Sequence, residues 1–143
     1  MDKKTFSLDL DRCVGCYTCA VACMDQNDTE ARDDDFMWRF VASVPGKRKI
    51  QYFSIACLHC DDAPCVISCP TGALSRNEEL GLVVSDKLKC VGCHSCAMNC
   101  PYGAPKYDVD GKIEKCSGCD IRVKNGLLPA CVRACPTRAL KYE

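Results

Sequence analysis

Cysteine, more than any hydrophobic pattern, decides what this chain can fold into. Sixteen of its 143 residues are cysteine, and they fall into four groups of four. The groups are Cys13, Cys16, Cys19, Cys23; Cys57, Cys60, Cys65, Cys69; Cys90, Cys93, Cys96, Cys100; and Cys116, Cys119, Cys131, Cys135. The first and third read C-x2-C-x2-C-x3-C. The second and fourth keep the leading C-x2-C and the trailing C-x3-C-P and stretch only the middle spacer. Gly15, Gly92 and Gly118 each precede the second cysteine of a group, where glycine lets the backbone turn through positive φ and approach closely.

Three thiolates spaced i, i+3 and i+6 let a short loop wrap one compact inorganic core and aim backbone N–H groups at its sulfurs. That is the run which holds [4Fe-4S] cubanes in bacterial ferredoxins. Sixteen thiolates at four per cubane predict four clusters, with none left over. The fourth cysteine of each group is expected in a short helix (residues 20–23, 66–69, 97–100 and 132–135), facing away from its own triple. In two-cluster ferredoxins that cysteine ligates the other cluster. Structural zinc is the competing metal, but zinc knuckles take two pairs across a longer loop, which suits the tight triples poorly. A disulfide scaffold would fit the cysteine fraction, yet residues 1–5 begin no secretory signal.

Length predicts one domain, or two small ones sharing an interface. The 48% hydrophobic content includes every cysteine, so the clusters must serve as much of the core and the apo-protein is expected to fold poorly. No apolar run approaches the ~18 residues of a membrane helix, and no twin-arginine or Sec-type leader is visible. The expected setting is therefore a reducing, oxygen-poor cytoplasm. The formal charge of zero misleads, because each oxidised cluster with its four thiolates carries roughly −2, leaving the loaded protein near about −8. Nucleic acid is excluded as a partner on that ground. Arg12, Lys89 and Lys115 each stand directly before a first cysteine, where a cation would favour the reduced, more negative cluster; ordinary solvated side chains are the alternative.

The chain is internally duplicated: CVGCYTCAVAC at 13–23 matches CVGCHSCAMNC at 90–100, and CVISCPTGAL at 65–74 matches CVRACPTRAL at 131–140. Between the groups, residues 36–44 and 49–56 read as strands joined by Pro45-Gly46, with further short strands at 80–85 and 112–115. The expected class is α+β, two ferredoxin-like units of short strands and short helices around four clusters. The acidic stretch 25–35 reads as a solvated loop, and Trp38 as packing rather than an electron relay. His59 replaces the glycine of the other groups and is open to a structural role or to a hydrogen bond with a cluster sulfur; His94 aligns with Tyr17 and reads as peripheral. No Ser/His/Asp set, nucleotide loop or flavin fingerprint is present, so electron transfer is expected rather than catalysis of its own.

On residues 57–65 (CLHCDDAPC), 69–74 (CPTGAL) and 100–105 (CPYGAP), the chain resembles the four-cluster electron-transfer subunits of molybdenum and tungsten bis-pyranopterin oxidoreductases. That family includes the iron–sulfur subunits of dimethyl sulfoxide reductase, formate dehydrogenase and respiratory nitrate reductase, and the likeness covers residues 5–143. Nitrate-reductase-type members place tryptophan where Cys96 stands and hold a [3Fe-4S] cluster; the cysteine here implies four [4Fe-4S] clusters. The resemblance implies that group one pairs with four and group two with three. The ligand sets would be Cys13, Cys16, Cys19 with Cys135; Cys116, Cys119, Cys131 with Cys23; Cys57, Cys60, Cys65 with Cys100; and Cys90, Cys93, Cys96 with Cys69. Residues 1–50 and 106–143 would form an outer unit and 51–105 an inserted one. The implied role is a wire between a larger Mo/W-pyranopterin catalytic subunit and a further electron donor or acceptor, with head-to-tail self-association open. A free polyferredoxin between enzymes such as CO dehydrogenase and hydrogenase is the first alternative, and a zinc-rich structural protein the second.

Overall fold

A computed structural model of the protein describes residues 3–29 and 37–143. Four two-stranded antiparallel sheets and five helices lie between the cysteine loops among these residues. Strand β1 (Phe6–Leu8) pairs with β8 (Leu140–Tyr142), so the two ends of the chain meet, with Phe6 opposite Tyr142. Strands β2 (Phe40–Pro45) and β3 (Ile50–Ile55) form a hairpin in register from Phe40–Ile55 to Pro45–Ile50. Gly46 closes its turn by donating to the Lys49 carbonyl at 3.0 Å. Strands β4 (Leu74–Asn77) and β5 (Leu82–Ser85) make a second hairpin, and β6 (Lys106–Tyr107) and β7 (Ile113–Glu114) a third.

The helices are α1 (Thr18–Asn27), α2 (Pro64–Ile67), α3 (Ser95–Asn99), α4 (Asp120–Lys124) and α5 (Ala130–Ala134). Helix α1 packs on α5, and α2 on α3. One core gathers Ala63, Ala73, Leu74, Val83, Cys90, Cys96 and Ile113; the other gathers Leu82, Cys131, Val132, Leu140 and Tyr142. Cysteines thus occupy core positions that aliphatic side chains fill in an ordinary domain of this length. The α+β class, the hairpin at 40–55 and the short strands at 82–85 and 113–114 follow the sequence expectation. The start of the first expected strand, Phe36, and most of the acidic stretch lie outside the described residues.

The helix expectation needs one correction. Of the fourth cysteines only Cys23 sits inside a helix; Cys69, Cys100 and Cys135 lie just beyond the ends of α2, α3 and α5. Each of these three precedes a proline, whose ring disfavours α geometry in the residue before it. Cys100 (φ −87, ψ 116) and Cys135 (φ −63, ψ 111) are accordingly extended. Met24 follows Cys23, and α1 runs on to Asn27.

Candidate metal centres

Each expected cysteine set surrounds a space or shares a buried neighbourhood. Cys57, Cys60, Cys65 and Cys100 line a cavity of about 400 Å³ with Pro64 and Lys115. Cys13, Cys16, Cys19 and Cys135 line one of about 340 Å³ between β2, β3 and the β8 end. Cys69, Cys90, Cys93 and Cys96 line a third of about 280 Å³. In the remaining set, Cys116, Cys131 and Cys119 all bear electrostatically on Cys23. In every case a fourth cysteine comes from a different group than the first three. No cysteine is in a disulfide.

The donor chemistry fits iron–sulfur clusters. Among the described residues, no three Cys, His, Asp or Glu side chains converge as ligands of one metal ion. The sulfurs stand around a space, as the corners of a cubane require. Burial opposes ionisation of the inner thiols: it pushes Cys23 up to about 12, with the neighbouring Cys116 and Cys131 adding to it. Cys116, Cys119, Cys131 and Cys65 are also raised, chiefly by burial. Thiolates in such places need a compensating positive charge, which bound iron supplies.

Other cysteines are prepared by local donors. The Thr18 side chain holds the Cys16 thiol low, and Ser95 does the same for Cys93. At Cys69, burial is outweighed by the N–H groups of Leu74, Thr71 and Ala73 with the Thr71 hydroxyl. Cys135 repeats that pattern with Leu140, Thr137 and Ala139, as the duplicated CPTxAL run dictates. Gly15, Gly92 and Gly118 take φ of 68, 71 and 70, the left-handed turn expected of them. His59, standing at the same place in the second group, is forced to φ 50.

Several side chains near the sulfurs carry no signal in the sequence. Ser54 Oγ lies 3.1 Å from Cys19 Sγ, and Tyr107 OH 3.0 Å from Cys96 Sγ, so the third cysteines of groups one and three each meet a hydroxyl. Arg39, 4% exposed, donates to Ser54 Oγ at 3.1 Å. Arg76 spans the second loop, donating to the carbonyls of His59 and Cys60 at 3.0 and 2.5 Å. His59 is buried, stacked against Phe6, and accepts the Val83 N–H on Nδ1 at 3.0 Å. Burial, with Lys115 next in weight, pushes its pKa down to about 3, so the ring is neutral and its hydrogen sits on Nε2. That nitrogen and Trp38 Nε1 have no protein partner although buried. His94 is not idle: it stacks on Tyr107 with 3.7 Å between ring centroids.

Comparison with known proteins agrees with this geometry. Residues 48–143 match the 4Fe-4S dicluster domain family. The protein is 42% identical to the B subunit of anaerobic dimethyl sulfoxide reductase from Haemophilus influenzae, over 99% of its own length and 74% of that subunit. It is 39% identical to a probable anaerobic dimethyl sulfoxide reductase subunit of Escherichia coli, covering 96% and 71%. It is likewise 39% identical to the thiosulfate reductase electron transfer subunit PhsB of Salmonella typhi, covering 94% and 72%.

Proposed function

The chain belongs to the 4Fe-4S dicluster iron–sulfur subunits of the dimethyl sulfoxide reductase family of oxidoreductases, an electron-transfer component rather than a catalytic subunit, and from that membership we propose a specific wire. Its four [4Fe-4S] clusters are held by Cys13, Cys16, Cys19, Cys135; Cys23, Cys116, Cys119, Cys131; Cys57, Cys60, Cys65, Cys100; and Cys69, Cys90, Cys93, Cys96. The observation that carries this reading is the crossing: each described cavity takes three sulfurs from one group and the fourth from another. Cys19 bears on Cys131, and Cys57 on Cys116, which supports the order group one, four, two, three along the molecule. The outer unit is residues 1–50 with 106–143, supported by β1–β8 and α1–α5; the inserted unit is 51–105, supported by α2–α3. Two hairpins reach across: β2–β3 straddles the boundary, with Ser54 beside Cys19, and β6–β7 sends Ile113 into the inserted unit's core.

When bound, the clusters accept and pass single electrons. The protein's own residues hold them, exclude water and set the charge around them: apolar walls such as Val83, Leu74 and Leu140 line the cavities, and hydroxyls and N–H groups face the sulfurs. One end of the row meets a larger catalytic subunit carrying a molybdenum or tungsten pyranopterin, and the other a further redox partner. No helix among the described residues is long and apolar enough to cross a membrane. A cytoplasmic site of action is part of the proposal, because sixteen thiolates reserved for iron must stay reduced until the clusters are in place.

Anaerobic isolation of the tagged protein from its native cells tests the wire. We expect a stoichiometric larger partner, fractionating with the cytoplasm, and about sixteen iron and sixteen sulfide per chain. A monomer with no partner would favour the free carrier, and a head-to-tail oligomer would favour self-association. About four zinc per chain would sink the cluster assignment.

A further inference from the structure

Three basic residues stand directly before a first cysteine, and the fold treats them differently. Arg12 is exposed and paired with Asp9 at 3.5 Å. Lys89 is exposed. Lys115 is 2% exposed, carried inward at the end of β7. Its Nζ lies 2.6 Å from the Val83 carbonyl, 2.7 Å from the Cys116 carbonyl and 3.6 Å from Cys57 Sγ. Three acceptors match the three hydrogens of an ammonium, and a neutral amine has only two to give.

A buried ammonium requires negative charge beside it. The neighbouring carboxylate, Glu114, is engaged by Lys87. The sulfurs around Lys115 belong to two different ligand sets. It touches Cys57 and lines that set's cavity, while its own backbone leads into Cys116. Arg39, the other buried cation here, donates to Ser54 beside Cys19 and also bears on Cys23 and Cys131, so it serves the Cys13 and Cys116 sets.

We propose that Lys115 is one ammonium shared by the two middle clusters, those of the Cys57 and Cys116 sets, and that it fixes their two reduction potentials together at the joint between the units. This rests on the ligand sets proposed above. A cation at the joint of two clusters favours the more negative form of each. Two neighbouring stations are thereby held as better acceptors than they would be without the ammonium.

The test is Lys115→Met in the full-length protein, loaded anaerobically and titrated redox-wise by electron paramagnetic resonance. We expect two of the four reduction equilibria to weaken tenfold or more, a fall of about 59 mV for a one-electron couple. The other two stay put, and Lys115→Arg restores the first two. Four unchanged potentials, four shifting alike, or a shift in one cluster alone would overturn the proposal. If Lys115→Met does not retain iron, the native sequence labelled with 15Nζ-lysine is studied by pulsed resonance. Nitrogen couplings on both the signal that Cys57→Ser alters and the one that Cys116→Ser alters support the shared ammonium, and absence from either refutes it. Cys57→Ser and Cys116→Ser must alter different signals. If both alter the same one, the ligand sets fail, not the lysine.

Discussion

Gly118 offers a measurement in which backbone strain and packing separate. It sits at φ 70, and a Cβ there would come within 2.5 Å of Leu82 Cδ2 and 2.9 Å of Cδ1. Leu82 is 1% exposed and belongs to the core around Cys131, so it has little room to yield. Gly72, at φ 68, has nothing within 4 Å of the same hypothetical Cβ. Left-handed geometry costs a non-glycine residue about 1–2 kcal/mol at either site. Overpacking adds about 1–3 kcal/mol at Gly118 alone. Gly118→Ala should thus lose roughly 2–5 kcal/mol and Gly72→Ala roughly 1–2 kcal/mol. Cluster loss is irreversible, so the comparison is one of rates. Anaerobically loaded variants would be exposed to an iron chelator while their visible absorbance is followed. At about tenfold per 1.4 kcal/mol, Gly118→Ala should bleach several-fold to a hundredfold faster than Gly72→Ala. Its first signal to vanish should be that of the Cys116 set. Equal rates would show that Leu82 moves freely and that the contact does not constrain the fourth loop.

Cys23→Ala should disturb the cluster of Cys116, Cys119 and Cys131 and leave that of Cys13, Cys16 and Cys19; Mössbauer or resonance spectra showing the reverse would end crossed ligation. Arg76→Met removes charged donors from the His59, Cys60 and Gly81 carbonyls and should cost roughly 2–4 kcal/mol, read as faster iron loss from the Cys57 set. Unchanged loss from that set would mean the loop holds itself. Ile113→Ala empties a 1%-exposed core position beside Cys90 and Cys96 and should cost about 2–5 kcal/mol, seen as a lower thermal midpoint with the Cys90 signal lost earliest. A midpoint equal to that of the unaltered protein would refute the core assignment.

What is legible in the sequence is whatever the chemistry fixes locally. Cysteine spacing, the glycines before second cysteines and the hairpin around Pro45-Gly46 all follow from short-range rules. Proline after the fourth cysteine is equally visible, yet helix periodicity alone misplaces Cys100 and Cys135: the proline ends the helix one residue early and leaves the sulfur on extended backbone. Pairings between distant segments leave no local mark. Nothing in FSL or LKY announces that β1 meets β8. Arg12, Lys89 and Lys115 read alike, and only the burial of β7 separates the third from the others. Arg39, Ser54 and Tyr107 lie far in sequence from the sulfurs they serve, so no motif could flag them.

The clasp of the two chain ends bears on how the protein is made. Thr5 N–H donates to the Glu143 carbonyl at 2.8 Å, and Glu143 N–H returns a bond to Thr5 at 3.1 Å. In chain order the residues of the Cys57 and Cys90 sets, together with Ile113, are all in place before the last motif is made. With the ligand sets proposed above, the inserted unit therefore has its full complement of thiols first. The outer pair must wait for Cys131, Cys135 and the closing strand. Cys13, Cys16, Cys19 and Cys23, made first, are then the thiols left uncovered longest. An oxidant pulse during synthesis would strike them ahead of all the others.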